Sequence, residues 1–425
     1  MGGRSVAQVA ATDLPLPIFG LRTGILMTQC FRRRTQVLLV SLLLPVLGSA
    51  ASITDGPYVL QTSEGQWSAR WIEGDDSAPK ISERTVRAGD VITVPAVGPR
   101  SAFEVRLRGD PAITPSEVSL SSGTSLFVIA DTHGEFEIAT ELFQKHRIID
   151  SKLNWSFGKG HLVILGDVFD RGPNQTELLW LFYKLEGEAR AAGGGVHLVL
   201  GNHETLVLLG SRQDLNAKYA EVAKALAVPT YASLWDTRSL LGRWLRTKPA
   251  VQKIGNFLCL HGGISAELVN RKMALDEINE TVRDVLGYTE PYAGPKPRYA
   301  LADLALLGGA PAATDADRER AGFITFGKLG PLWYRGYFPE VARQGGFPIA
   351  SDTDVEAALR FFGVTKILVG HTIVPTVTSL YGGKVVAVQV YPHRDEQTGA
   401  SVAEGLRIEN GRVLRARIDG TTEPL

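Results

Sequence analysis

Cysteine is almost missing from this sequence, with only Cys30 and Cys259 among 425 residues. A thiolate-ligated structural zinc site and a disulfide framework both need more thiols than that, so neither is expected. Cys30 falls in an N-terminal stretch that reads as removable, which leaves Cys259 alone on an apolar run as a small packed hydrophobe. An excess of charge of one sign is missing too. Lys plus Arg and Asp plus Glu stand at 45 each, for a formal net charge of zero. Without a basic bias, and without a helix-turn-helix, zinc-finger or RNA-stacking pattern, nucleic acid is not an expected partner. Internal repeats and low-complexity segments are absent as well.

No comfortable membrane span is present either. The apolar run Val37–Leu47 falls short of the ~20 residues a spanning helix needs. It follows Arg32-Arg33-Arg34 and precedes the small residues Gly48-Ser49-Ala50-Ala51, the order of a secretory leader. Residues 1–50 are therefore expected to be a signal peptide, with Met27 as an alternative true start. That predicts a periplasmic or secreted protein with no stable membrane span once the leader is cleaved.

What the chain does have is five short motifs rich in histidine and aspartate. They are Asp131-Thr-His133-Gly, Gly166-Asp167-Val-Phe-Asp170-Arg171-Gly172, Gly201-Asn202-His203-Glu204, His261-Gly262-Gly263 and Gly370-His371-Thr372. Each follows an apolar run: Leu126–Ala130, Leu162–Leu165, Val196–Leu200, Asn256–Leu260 and Lys366–Val369. Such runs read as buried strands, and open α/β sheets bind ligands at the carboxyl ends of their strands. By pattern alone, all five motifs converge on one edge of an α/β sheet. The first three are spaced by about 35 residues, the size of a βαβ unit. Between the second and third, Leu178, Leu181, Phe182 and Leu185 make one apolar helix face.

Around this core the pattern changes. From residue 51 to 119, alternations such as Phe103-Glu-Val105-Arg-Leu107 and Trp67-Ser-Ala69-Arg-Trp71 predict a small β domain, its tryptophans packed inward. Residues 120–425 form the expected catalytic domain. Within it, 264–365 reads as a helical insertion or lid, with helices near Met273–Val285 and Ala313–Arg320 and breaks at Gly294–Pro297 and Gly308–Pro311. The aromatic stretch Trp333–Tyr337 is expected to wall the site. Lys384–Val390, Gly405–Ile408 and Arg412–Ala416 read as closing strands, with hairpin turns at Gly382-Gly383 and Asn410-Gly411.

Carboxylates and imidazoles suit Mn, Fe and Zn. Asp131 and His133 can grip one ion, and Asp167 can offer one oxygen to each of two. Asn202, His261 and His371 complete the second. A water bridging two divalent cations deprotonates near neutral pH and becomes a nucleophile for phosphorus. His203 is placed to protonate the leaving oxygen, with Asp170 orienting its ring. Arg171 offers forked donors to phosphate, beside Asn202, and Arg335 is the candidate for a second clamp. Glu204 is expected to brace its loop, and His146, His161, His197 and His393 to take ordinary surface or strand positions.

The set resembles the phosphoprotein phosphatase family of calcineurin-like metallophosphoesterases, whose motifs run GDxHG, GDxxDRG, GNHE and HGG with a later histidine. The resemblance covers roughly residues 126–389. It implies two metal ions, one held by Asp131, His133 and Asp167, the other by Asp167, Asn202, His261 and His371. It implies His203 as proton donor with Asp170, and Arg171 on the phosphate. It also implies the fold: two packed mixed β-sheets flanked by helices, in four layers. Gly166–Pro173, Pro331–Arg335 and Gly370-His371-Thr372 are most like the Shewanella-like branch, which implies a phosphoprotein or phosphopeptide substrate, with phosphotyrosine preferred. Ala130 departs from the glycine usual in the first motif.

Two other readings stay open. One is a diadenosine polyphosphate or other small phosphoester hydrolase on the same fold. Those relatives carry Asn where this chain has Asp170, and His-Ala-Gly where it has His261-Gly262-Gly263. The other is a non-catalytic exported binding module, against which every proposed catalytic position is filled.

Overall fold

The computed structural model describes residues 53–74, 78–287 and 314–425. The expected leader, and the Gly294–Pro297 and Gly308–Pro311 breaks, lie outside the described residues. The chain first builds a three-stranded antiparallel sheet from β1 (Asp55–Gln61), β2 (Trp67–Glu73) and β3 (Lys80–Val86). A two-stranded ribbon follows, β4 (Val91–Val94) and β5 (Phe103–Arg106). Phe103, Val105 and Leu107 are buried while Glu104 and Arg106 are exposed, as the alternation predicts. Trp67 and Trp71 are only half-buried. Arg243 covers one ring at 4.6 Å, and the other donates Nε1–H to the Thr93 carbonyl at 2.7 Å.

After β6 (Glu117–Val118), three strands alternate with helices: β7 (Leu126–Ile129), β8 (His161–Ile164) and β9 (Gly195–Leu198). Next come β10 (Val251–Ile254), β11 (Phe257–Leu260), β12 (Lys366–Val369), β13 (Thr378–Leu380) and β14 (Val385–Ala387). A short ribbon, β15 (His393–Arg394) with β16 (Ser401–Val402), leads to the meander β17 (Glu404–Glu409), β18 (Arg412–Arg417) and β19 (Thr422–Pro424). Asn410 and Gly411, at φ 51° and 73°, make the tight turn between β17 and β18.

Two six-stranded mixed sheets result, in the orders β19-β18-β17-β7-β8-β9 and β13-β14-β12-β11-β10-β6. They share one hydrophobic core and are flanked by helices. The fold is the four-layer α/β arrangement that the family resemblance implied. The pattern reading of a single sheet edge is corrected, because three motif strands lie in one sheet and two in the other. Convergence survives the split. β7, β8 and β9 run parallel, as do β11 and β12, so every motif leaves a carboxyl end. Two bonds tie those ends together across the sheets. The His261 ring donates Nδ1–H to the Leu165 carbonyl at 2.7 Å, and Asp131 Oδ1 accepts the His371 N–H at 3.1 Å.

The described residues from Ile53 onward, the N-terminal strands included, fall in one compact unit. β6 falls inside the expected N-terminal β segment yet pairs with β10 of the second large sheet. In the expected insertion, helices occupy Ala266–Asn270, Leu275–Val285, Asp315–Phe326, Pro339–Gly345 and Asp352–Phe362. Ser351 and Asp354 box the start of the last one, and Gly363 closes it at φ 61°.

Candidate functional site

Asn202 and His203 open a short helix, Asn202–Leu208, and most of the other motif residues leave their strands on strained turns. Six of them, Asp131, His133, Asp167, Asp170, Arg171 and His371, take positive φ between 42° and 69°. Non-glycine residues adopt that region only where their surroundings over-determine it. Glu204 supplies one such restraint. Its buried carboxylate accepts N–H groups from Asp167 (2.8 Å), Val168 (2.7 Å) and Gly201 (2.7 Å), locking the second motif to the third. Gly166 at φ 86° and Gly201 allow the close approach. A Cβ on Gly166 would come within 2.5 Å of the Gly201 nitrogen.

Among the described residues, two groups of metal-ligating side chains come together, His133–Asp167–His203 and Asp167–His261–His371. All are buried, and Asp167 belongs to both, as a bridging carboxylate must. Its Oδ2 lies 3.1 Å from His261 Nε2 and 3.8 Å from the Nε2 atoms of His133 and His203. Asn202 Oδ1 reaches within 2.9 Å of His261 Nε2, and His371 Nδ1 within 3.1 Å of the same atom. Asp131 stands beside the second group, its Oδ1 4.0 Å from His261 Nδ1. The remaining four histidines join neither group.

The rings are oriented for ligation. His133 donates Nδ1–H to the Phe169 carbonyl at 2.8 Å, and His261 does the same to Leu165, which turns each Nε2 toward Asp167. The buried Nε2 atoms of His133 and His371 have no hydrogen-bond partner, a cost that a cation would remove. Electrostatics point the same way. Burial opposes a charged His261, yet Asp167 and Asp131 hold its pKa up at about 9. Burial raises Asp131 to about 7, the nearby His261 notwithstanding. The pocket calls for positive charge, from a proton or from a metal ion that displaces it. These two buried His/Asp groups fit a binuclear metal site.

His203 differs from the other imidazoles. Its Nδ1–H donates to Asp170 Oδ2 at 2.7 Å. Burial works against its charged form, but the Asp170 bond and the Asp167 charge outweigh burial and raise its pKa. This histidine holds a proton readily. Above the cluster, a cavity of about 290 Å³ is lined by Asp131, Asp167, Arg171, Asn202, His203, Trp333, Arg335 and His371, among others. Arg171 and Arg335 have no carboxylate partner among the described residues, so both forks are available to an anion.

The aromatic wall needs correction. Of its aromatics only Trp333 lines the cavity, edge-on to His371 at 5.7 Å. Tyr334 and Tyr337 belong to the core, their hydroxyls spent on the Pro348 and Ile264 carbonyls at 3.1 Å. Ile373, 57% exposed, and Leu206 line the cavity as apolar residues the motifs did not flag. Tyr391 sits 6.0 Å from the His133 ring and 5.7 Å beneath the Arg171 guanidinium. No motif marks it; it follows β14 in an unpatterned loop. Cys259 is buried inside β11, where burial pushes its thiol pKa well up and leaves it inert.

Residues 124–375 match the calcineurin-like phosphoesterase family. The chain belongs to that family. Shewanella-like protein phosphatase 2 of Arabidopsis thaliana is 26% identical over 58% of this chain and 66% of its own. Shewanella-like protein phosphatase 1 of Plasmodium berghei is 30% identical over 37% of this chain and 43% of its own. The chain thus spans under two thirds of the length of these two relatives. Among solved structures, the cold-active protein-tyrosine phosphatase of a psychrophilic Shewanella species is 33% identical, with a TM-score of 0.68, over 88% of this chain and 99% of that one. This metallophosphoesterase is therefore related to protein phosphatases.

Proposed function

We propose that this chain is a metal-dependent phosphomonoesterase that acts on phosphoproteins and prefers phosphotyrosine. The observation that carries the proposal is the pairing of two uncommitted guanidinium groups, Arg171 and Arg335, with a buried His/Asp cluster on one small cavity. In this reading Asp131, His133 and Asp167 hold one divalent ion, and Asp167, Asn202, His261 and His371 the other. Bound ions of this kind polarise phosphoryl oxygens and supply a nucleophilic water at neutral pH. Mn, Fe and Zn all suit the donors.

The chain's own residues do the rest. Arg171 and Arg335 orient the phosphate by bidentate bonds, with Asn202 beside them. His203 carries the proton that the departing oxygen needs, and Asp170 keeps its ring turned for delivery. Trp333, Leu206 and Ile373 offer apolar surface beside the phosphate position, which suits an aryl leaving group better than a seryl one. The name of the Shewanella structure supports that preference. The expected leader suggests export, which N-terminal sequencing of the secreted protein would test by finding a start near Ala51.

The deciding assay sets matched phosphotyrosine and phosphoserine peptides against diadenosine tetraphosphate, with Mn present. Faster turnover of the phosphotyrosine peptide is expected. Preference for the nucleotide would overturn the phosphoprotein assignment and leave the small-molecule hydrolase in its place.

A further inference from the structure

The turn that carries Asp170 and Arg171 is held from behind by a chain of polar contacts that runs from the surface inward and ends on buried Asp55 of β1. Asp170 donates its N–H to Gln175 Oε1 at 2.6 Å, and Gln175 donates its own N–H to the Tyr219 hydroxyl at 2.9 Å. Tyr219 donates that hydroxyl to the Pro173 carbonyl at 2.8 Å. Lys218 donates Nζ to the same carbonyl at 2.8 Å, and the same ammonium lies 2.6 Å from Asp55 Oδ2. Nearby, Asn216 donates Nδ2 to the Arg171 carbonyl at 2.7 Å, while Arg171 donates its N–H to the Asp214 carbonyl at 3.0 Å.

Asp55 is fully buried, and its Oδ1 accepts from Gly56 N–H at 2.6 Å and Tyr58 hydroxyl at 3.0 Å. A buried ion pair gives a fold little net stability over apolar side chains of the same volume. What such a pair does supply is a fixed position. Asp170 and Arg171 need one, because both sit at positive φ, 69° and 65°. A second carboxylate, Glu177, lies 3.6 Å from Lys218. Burial and the Asp55 charge push its pKa up to about 8, and Lys218 makes its shorter contact with Asp55.

We propose that Asp55 is a positioning residue for the phosphate-binding turn: through Lys218 and the Pro173 carbonyl, β1 sets Asp170 and Arg171 against His203. The N-terminal sheet is then a working part of the site. The roles of Arg171 and His203 rest on the phosphatase function proposed above, whereas the brace itself rests on the contacts alone. Without Asp55, Lys218 turns to Glu177 and leaves Pro173, freeing the turn.

The test is Asp55→Asn in the full chain with Mn bound. Hydrogen–deuterium exchange across residues 168–174 reads the turn directly, and phosphate inhibition of p-nitrophenyl phosphate hydrolysis reads Arg171. Local exchange is expected to rise while the β7–β9 strands stay protected, phosphate affinity to fall about tenfold, and metal content to hold. Lys218→Met breaks the same link from the other side, and the double variant is expected to lose no more than either single one. Should Asp55→Asn fail to fold, Lys218→Met carries the comparison. Wild-type exchange and phosphate affinity in a folded variant, with only a lower Tm, would overturn the proposal. A wild-type protein inert toward phosphomonoesters would sink the phosphatase function instead, and the exchange comparison would still decide the brace.

Discussion

Asp170 accepts the Nδ1–H of His203 through Oδ2 at 2.7 Å, while its Oδ1, also buried, has no hydrogen-bond partner. The carboxylate therefore spends its hydrogen bonding on one ring and on holding it in one orientation.

His203→Asn should lower kcat by about 10²-fold or more for poor leaving groups. Aryl phosphates, whose aryloxide departs with less need of a proton, should suffer less. Comparing alkyl and aryl phosphates at matched metal content checks this, and full activity on both would remove His203 from the mechanism.

Arg335→Ala should raise KM for phosphopeptides with little change in Tm. Arg335 is half-buried on the cavity with no ion-pair partner among the described residues, so its loss breaks no salt bridge. Steady-state kinetics beside thermal melting separate the two effects. Unchanged KM and kcat would discard the second clamp.

Asp167→Asn should cost binding of both ions, because Asp167 is the one member common to the two groups. Elemental analysis after dialysis against Mn should show wild type loaded and the variant depleted. Wild-type Tm should rise with added Mn, by about 2.7 kcal/mol of stability at a hundredfold excess over Kd, and the variant's should not. A variant that retains one tightly held ion would assign Asp167 to a single site.

Glu186 should make stability fall in acid. Burial opposes its charge, but Lys248 and Arg108, with the Trp244 Nε1–H, hold its pKa down at about 2. Its folded value lies below the unfolded value near 4.5, so the stabilisation is present above that pH and fades as pH drops toward 2. The full difference corresponds to about 3 kcal/mol. Urea unfolding of wild type and Glu186→Gln at pH 6 and pH 2.5 should show their gap narrowing in acid; a constant gap would reject the linkage.

Much of this was legible because the chemistry is local. β12 falls on Lys366–Val369 as read, and β7, β8, β9 and β11 lie within two residues of their apolar runs. The split into two sheets was not legible from pattern, because an apolar run reports that a strand is buried but not which strand it pairs with; motif resemblance supplied that. Trp333, Tyr334 and Tyr337 look alike in sequence, and only the carbonyls facing the two tyrosine hydroxyls separate core from cavity. Ile373 reaches the cavity, and Tyr391 the His133 and Arg171 side chains, through loop paths with no periodicity to read.

The six left-handed turns carry a thermodynamic consequence. At about 1 kcal/mol each, they withhold on the order of 6 kcal/mol, much of the net stability of an ordinary domain. Glycine at any of these positions would relax the backbone while deleting the functional side chain. Heat resistance and the proposed chemistry therefore compete for the same six residues, and selection for a hardier protein, applied without an activity screen, would dismantle the candidate site first.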